Sequence, residues 1–207
     1  MSTVALFHSV LGVRPGVHDA AERLRSGGHD VRVVDQYAGR SFDDYAEAAA
    51  HVDAVGFPAL MQAAVDATAD LQDGFVVAGF SNGAGMAEHV ALQRPVAGAV
   101  LLSGALPLPM LGAEEWPAVP VQLHYGTGDP NRQEPWVEQL LAAVRASGAT
   151  AGLHEYPVRG HLFTDPSLPD EYDAAAAELL WIRVLGFLDD LARQPVRAAE
   201  PTVPARR

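Results

Sequence analysis

Cysteine is absent from the 207 residues, so disulfides, thiolate metal sites and a cysteine nucleophile are excluded. No apolar run approaches the length that spans a bilayer. The one apolar stretch near the start, Val4 to Val13, is short and lacks the basic residues that precede the core of a signal peptide. It reads as a buried strand running into a loop. Basic residues are scarce, 14 Lys and Arg against 26 Asp and Glu, which leaves a formal net charge of −12 and a pI near 4.9. A field of that sign repels phosphate backbones and anionic headgroups, so neither nucleic acid nor a membrane is an expected partner. The acidity reads as a solubility feature, and a local basic patch could still hold an anionic substrate. The expected location is cytoplasmic.

What is present is a regular alternation. The length suits one α/β domain over residues 1–192, which can bury roughly 70% of the unfolded surface without covalent staples. Residues 193–207, rich in proline and arginine, are expected to form a flexible tail. Short β-branched runs predict strands at Thr3–His8, Val31–Val34, Gly74–Phe80, Val96–Leu102, Val119–Tyr125 and Ala151–Tyr156. Helix-period segments predict helices at Pro15–Arg25, within Asp43–Leu71 with a break near Gly56-Phe57-Pro58, at Gly83–Gln93, at Glu134–Ser147 and at Asp170–Leu191. Strands separated by helices imply βαβ units, a mostly parallel sheet of about six strands, and helices on both faces. Ligands of such sheets bind beyond the carboxyl ends of the strands.

One turn carries chemistry. In Gly79-Phe80-Ser81-Asn82-Gly83 a strong strand enters and a strong helix leaves. A serine at the apex must adopt a strained backbone, so its neighbours must be small. The helix directs its positive end at the serine, and the Asn82 N–H can donate to a developing oxyanion. With 19 glycines and eight serines in the chain, about 0.07 such patterns are expected by chance, so the context carries the assignment.

A serine hydroxyl needs a base, and the base needs an orienting acid. The order for this topology is serine, acid, histidine. Beyond the helix that leaves Ser81, the histidines are His124, His154 and His161. The first two lie inside strand-like runs and read as core or edge residues. His161, in a loop after the sixth strand, is the expected base. Asp129, in a glycine-rich turn after the fifth strand, is the expected acid. Asp165 follows His161 and breaks the order, and Glu114 and Glu115 come too early.

These residues carry a resemblance. The chain resembles the dienelactone hydrolase family of α/β hydrolases over nearly its whole length, through the Ser9-Val10-Leu11-Gly12 loop, Val34-Asp35-Gln36-Tyr37, the Ser81 turn, the Asp129 turn and Gly160-His161. The resemblance implies that the first-strand loop supplies the second oxyanion amide, at Val10. It departs from the pattern at two positions: Ser81 stands where the family has cysteine, and Ser9 where it has glutamate. Arg40 is the nearest candidate for the arginine that the family directs at its substrate.

Ester or lactone hydrolysis through an acyl-enzyme is therefore the expected activity, with an acyltransferase, a cyclase or isomerase, or a non-enzymatic binder as alternatives. Ser9, Tyr37, Arg40, Trp116, Tyr125 and Phe163 are candidate substrate contacts. Leu106–Gly112 could cap the pocket. Gly83-Ala84-Gly85 is no dinucleotide loop, no phosphate-loop or His-Glu-x-x-His motif is present, and His8 and His18 lack companion carboxylates. No cofactor and no metal are expected, the partner is a small-molecule substrate, and the chain is expected to be a monomer or homodimer.

Overall fold

The structure, a computed structural model, describes residues 1–193. The expected tail therefore lies, but for its first residue, outside the described residues. Six strands form one all-parallel sheet: β1 (Thr3–Phe7), β2 (Asp30–Val34), β3 (Phe75–Phe80), β4 (Val96–Leu102), β5 (Val121–Gly126) and β6 (Ala151–Tyr156). Their order is β2-β1-β3-β4-β5-β6. β3 is buried at every position, as expected of a central strand covered on both faces.

Six helices cover the sheet: α1 (Pro15–Ser26), α2 (Tyr45–Val55), α3 (Phe57–Asp66), α4 (Asn82–Gln93), α5 (Glu134–Ala146) and α6 (Ala174–Arg193). From β1 the chain crosses outward to β2, and from β3 it crosses the other way to β4. Right-handed crossovers then put α1 and α4 on opposite faces. On one face α1 meets α6 through Arg23 and Glu178, 2.9 Å apart. On the other, α4 packs on β1, β3 and β4 and against α3. The strand order reverses between β1 and β3, which opens a crevice beyond their carboxyl ends.

The expected elements are present with small shifts at their ends. β5 starts at Val121 and not Val119, because Pro120 has no N–H to give the sheet. α6 starts at Ala174 and not Asp170, where Asp173 caps it by accepting from the Ala176 N–H at 2.9 Å. The predicted break between α2 and α3 falls at Gly56, whose φ of 88° suits glycine. Among the described residues no helix is long and apolar enough to cross a membrane.

Candidate functional site

Ser81 follows β3 at φ 52° and ψ −113°, in a backbone region that side chains rarely occupy. Hydrogen bonds on both sides hold it there: its N–H donates to the Leu102 carbonyl at 2.7 Å, and its carbonyl accepts from the Ala84 N–H at 2.9 Å. The tight turn needs both of its glycines. A Cβ on Gly79 would overlap the Gly83 carbonyl, and one on Gly83 would overlap the carbonyls of Phe7 and His8. Close approach of three backbones is thus the local reason for the motif.

Asp129 sits in the turn after β5 and is 7% exposed. Its Oδ1 accepts from the Asn131 N–H at 2.8 Å, which fixes the carboxylate plane. Its Oδ2 lies 2.8 Å from His161 Nδ1. His161 Nε2 lies 2.7 Å from Ser81 Oγ. With Nδ1–H donating to a carboxylate, Nε2 is the free acceptor and the Ser81 hydroxyl donates to it. Three side chains from three strand ends form one continuous relay.

The histidine loop has a second support that the sequence did not signal. Leu162 N–H donates to Glu171 Oε2 at 2.6 Å, and Tyr45 Oη donates to Glu171 Oε1 at 2.8 Å. The Tyr45 ring also stands edge-on to His161, with centroids 6.4 Å apart. Burial first, then the Glu171 carboxylate, pushes the Tyr45 phenol up and keeps it a neutral donor. Gly160 is tight against the Glu171 carbonyl, which any side chain there would overlap.

The Ser81 cleft is about 260 Å³ in volume. Val10 and Asn82 line it beside Ser81, so the residues expected to supply oxyanion amides reach the same space as the serine. Asn82 opens α4, where the first N–H groups have no intrahelical acceptor. The Val10 loop is held by two turns, Leu11 N–H to Ser9 Oγ at 3.2 Å and Gly12 N–H to the Ser9 carbonyl at 3.1 Å.

Of the expected substrate contacts only Tyr125 lines the cleft. Ser9 is 3% exposed, its hydroxyl closes the loop turn, and it does not line the cleft. Tyr37 follows β2, two strands from β3, and is buried against His8, Phe42 and His51. Burial pushes its phenol up to about 12. Arg40 is exposed and lies over the Phe42 ring at 5.3 Å. Trp116 is buried and donates Nε1–H to the Val119 carbonyl at 2.9 Å. Phe163 is buried against Tyr156. The Leu106–Gly112 segment forms a short 3₁₀ turn at Leu108–Leu111, and of its residues only Leu106 lines the cleft.

Other lining residues were not foreseen: Phe57 at the start of α3, Trp136 in the first turn of α5, Asn131 beside Asp129, and Ser103, Gly104 and Ala105 after β4. Burial, with Asp129 and Glu88 next in effect, pushes the Tyr125 phenol up and leaves it neutral. Chemically, the arrangement sets a carboxylate, an imidazole and a hydroxyl in line beside a small, mostly apolar cleft. Such a set suits acyl transfer.

The sequence model of the Dienelactone hydrolase family matches residues 1–192. No curated protein matches. Among solved structures, a dienelactone hydrolase-like promiscuous phosphotriesterase from metagenomic libraries superposes with a TM-score of 0.79 at 20% identity, covering 92% of this chain and 87% of that one. A dienelactone hydrolase from Anabaena variabilis gives 0.66 at 18% identity, with 92% and 86% covered. Esterase PE8 gives 0.64 at 20% identity, with 92% of each chain covered.

Proposed function

Because the chain belongs to the dienelactone hydrolase family, a family of α/β hydrolases, we propose that it is a serine hydrolase of small carboxylic esters or lactones. The observation that carries this reading is the relay itself, 2.7 Å from Ser81 Oγ to His161 Nε2 and 2.8 Å from His161 Nδ1 to Asp129 Oδ2. Ser81 Oγ attacks the carbonyl carbon as its proton passes to His161 Nε2. The oxyanion points at the Val10 and Asn82 N–H groups, and one such donor is worth about 10²–10³ in rate. Asp129 stabilises the imidazolium that forms and holds its tautomer. Collapse breaks the carbon–oxygen bond to the alcohol, which takes its proton from His161 Nε2. Water then attacks the acyl-enzyme with His161 again as base, and the acid leaves.

A cleft of about 260 Å³ limits this chemistry to small acyl groups, since sites for drug-sized ligands run to several hundred Å³ or more. The test is replacement of Ser81 with a panel of short para-nitrophenyl esters and lactones. Ser81→Ala is expected to lower kcat by at least about 10³-fold, and an organophosphonate is expected to add one mass to the native protein and none to the variant. Ester turnover that survives Ser81→Ala would overturn the reading.

A further inference from the structure

Among the described residues three that are not glycine have a positive φ: Ala38, Ser81 and Ser103. Two of the three are serines that share one cleft. They are also neighbours by register. Phe80 pairs with Leu102 across β3 and β4, so the next residue on each strand is Ser81 and Ser103. Adjacent strands are about 4.8 Å apart, which sets Ser103 beside the serine that attacks.

Ser103 has φ 53° and is 5% exposed. Its N–H continues the sheet, donating to the His124 carbonyl at 2.8 Å. Gly104 follows, so close to the Ser81 carbonyl and the Ala84 methyl that any side chain would overlap them. A buried carboxyl secures the same loop further on: both oxygens of Glu88, on α4, face the Leu106 N–H at 3.0 and 3.3 Å. The Ser103 backbone is therefore over-determined, and its strain is maintained from both sides. Glycine would occupy this conformation without strain. A strained residue kept in a cleft points to a use for its side chain, and among the described residues the Ser103 hydroxyl makes no hydrogen bond within the protein.

We propose that Ser103 is a specificity-determining residue whose hydroxyl binds a polar oxygen on the acyl group, next to the carbonyl that Ser81 attacks. This rests on the hydrolase reading above. The position within the sheet sets the class of substrate. Val10 follows β1 and Ser103 follows β4, on opposite sides of β3. The carbonyl oxygen turns toward Val10 and Asn82, so the group on the other side of the carbon faces Ser103. One strand spacing reaches the first substituents of the acyl chain and no further. Substrates are accordingly esters or lactones with an ether, hydroxyl or carbonyl oxygen on the carbon adjacent to the ester carbonyl, in preference to plain alkanoyl esters.

The experiment compares para-nitrophenyl methoxyacetate with para-nitrophenyl butanoate, which differ by one methylene exchanged for an ether oxygen. The ratio of kcat/KM for the two is measured in the native protein, Ser103→Gly and Ser103→Ala. Taking the ratio of ratios cancels the intrinsic reactivity of the esters. Loss of one hydrogen bond predicts a fall in the methoxyacetate preference of about fivefold in both variants. Ser103→Gly suits the backbone and guards against misfolding. An unchanged ratio, including a parallel loss on both esters, overturns the assignment. If the native protein turns over neither ester through Ser81, the hydrolase reading falls and takes this assignment with it.

Discussion

The strand pair β5 and β6 carries two histidine relays, and they differ in one respect. Beyond the strand ends, Asp129, His161 and Ser81 form a chain that ends in an open cleft. Inside the sheet, Tyr156 Oη and His124 Nδ1 lie 2.8 Å apart, His124 Nε2 and Gln122 Oε1 2.9 Å, and Gln122 Nε2 reaches His154 Nε2 at 3.1 Å. Both central histidines are buried, His161 at 6% exposure and His124 at 0%. Burial and hydrogen bonding are therefore common to both and do not tell the two apart. What separates the two is the partners. His161 has a carboxylate on one nitrogen and a serine hydroxyl on the other. His124 has a phenol and an amide, both neutral. Burial, then His154 and Arg183, holds His124 well below the usual imidazole range, so it stays uncharged.

The largest way to break this contrast is to give the outer relay a neutral orienter like the inner one. Asp129→Asn leaves the shape of the side chain but can fix the wrong tautomer of His161, and kcat/KM on a short ester is expected to fall about 10²–10⁴-fold. A fall of less than threefold would mean that Asp129 does not orient the base. The reciprocal change, His124→Leu, strips Tyr156 and Gln122 of their partner. It is expected to cost about 1–3 kcal/mol in urea unfolding, with turnover per folded molecule within twofold. Its pH dependence has a definite sign. A histidine held neutral in the fold makes the unfolded chain bind more protons as pH falls through the usual imidazole range, so stability is lost on acidification. His124→Leu should flatten that loss.

The smallest expected effect concerns Glu88, a fully buried carboxyl on α4. Burial, opposed by the Leu106 N–H, raises its carboxyl well above the usual glutamate range. The folded state then binds the proton more tightly than the unfolded one, so stability falls as pH rises above that range until the folded group ionises. Glu88→Gln keeps an acceptor for Leu106 and removes the ionisation. The thermal stability of the variant relative to the native protein should rise by on the order of 1 kcal/mol between pH 5 and pH 8. A difference independent of pH would mean that Glu88 is not perturbed by its burial.

The outer relay was legible from the chain because each of its members is local. Ser81, Asp129 and His161 each follow a strong strand, and small residues mark the turns that carry them. Fold class and element order were legible for the same reason, through the apolar runs and the helix-period segments. The cleft walls were not, because they form where distant segments converge. Phe57 and Trp136 belong to helices 79 positions apart by number and meet only around Ser81. Tyr37 had the signature of a site residue, an aromatic after a strand, but β1 stands between its strand and β3. Trp116 and Phe163 carried the same signature and became core. Tyr45 and Glu171 hold the histidine loop through a pairing of residues 126 positions apart, for which no short-range pattern exists.

That convergence has a consequence for how the protein can change over generations. Ser81 stands on a turn whose backbone touches that of β1, where Gly79 and Gly83 leave no room for another side chain. The walls come from elsewhere: the first turns of α3 and α5 and the loop after β4. Two sets of positions with separate constraints let one drift while the other is fixed. Replacing Phe57 or Trp136 would therefore reshape the cleft and leave the Ser81 turn as it is.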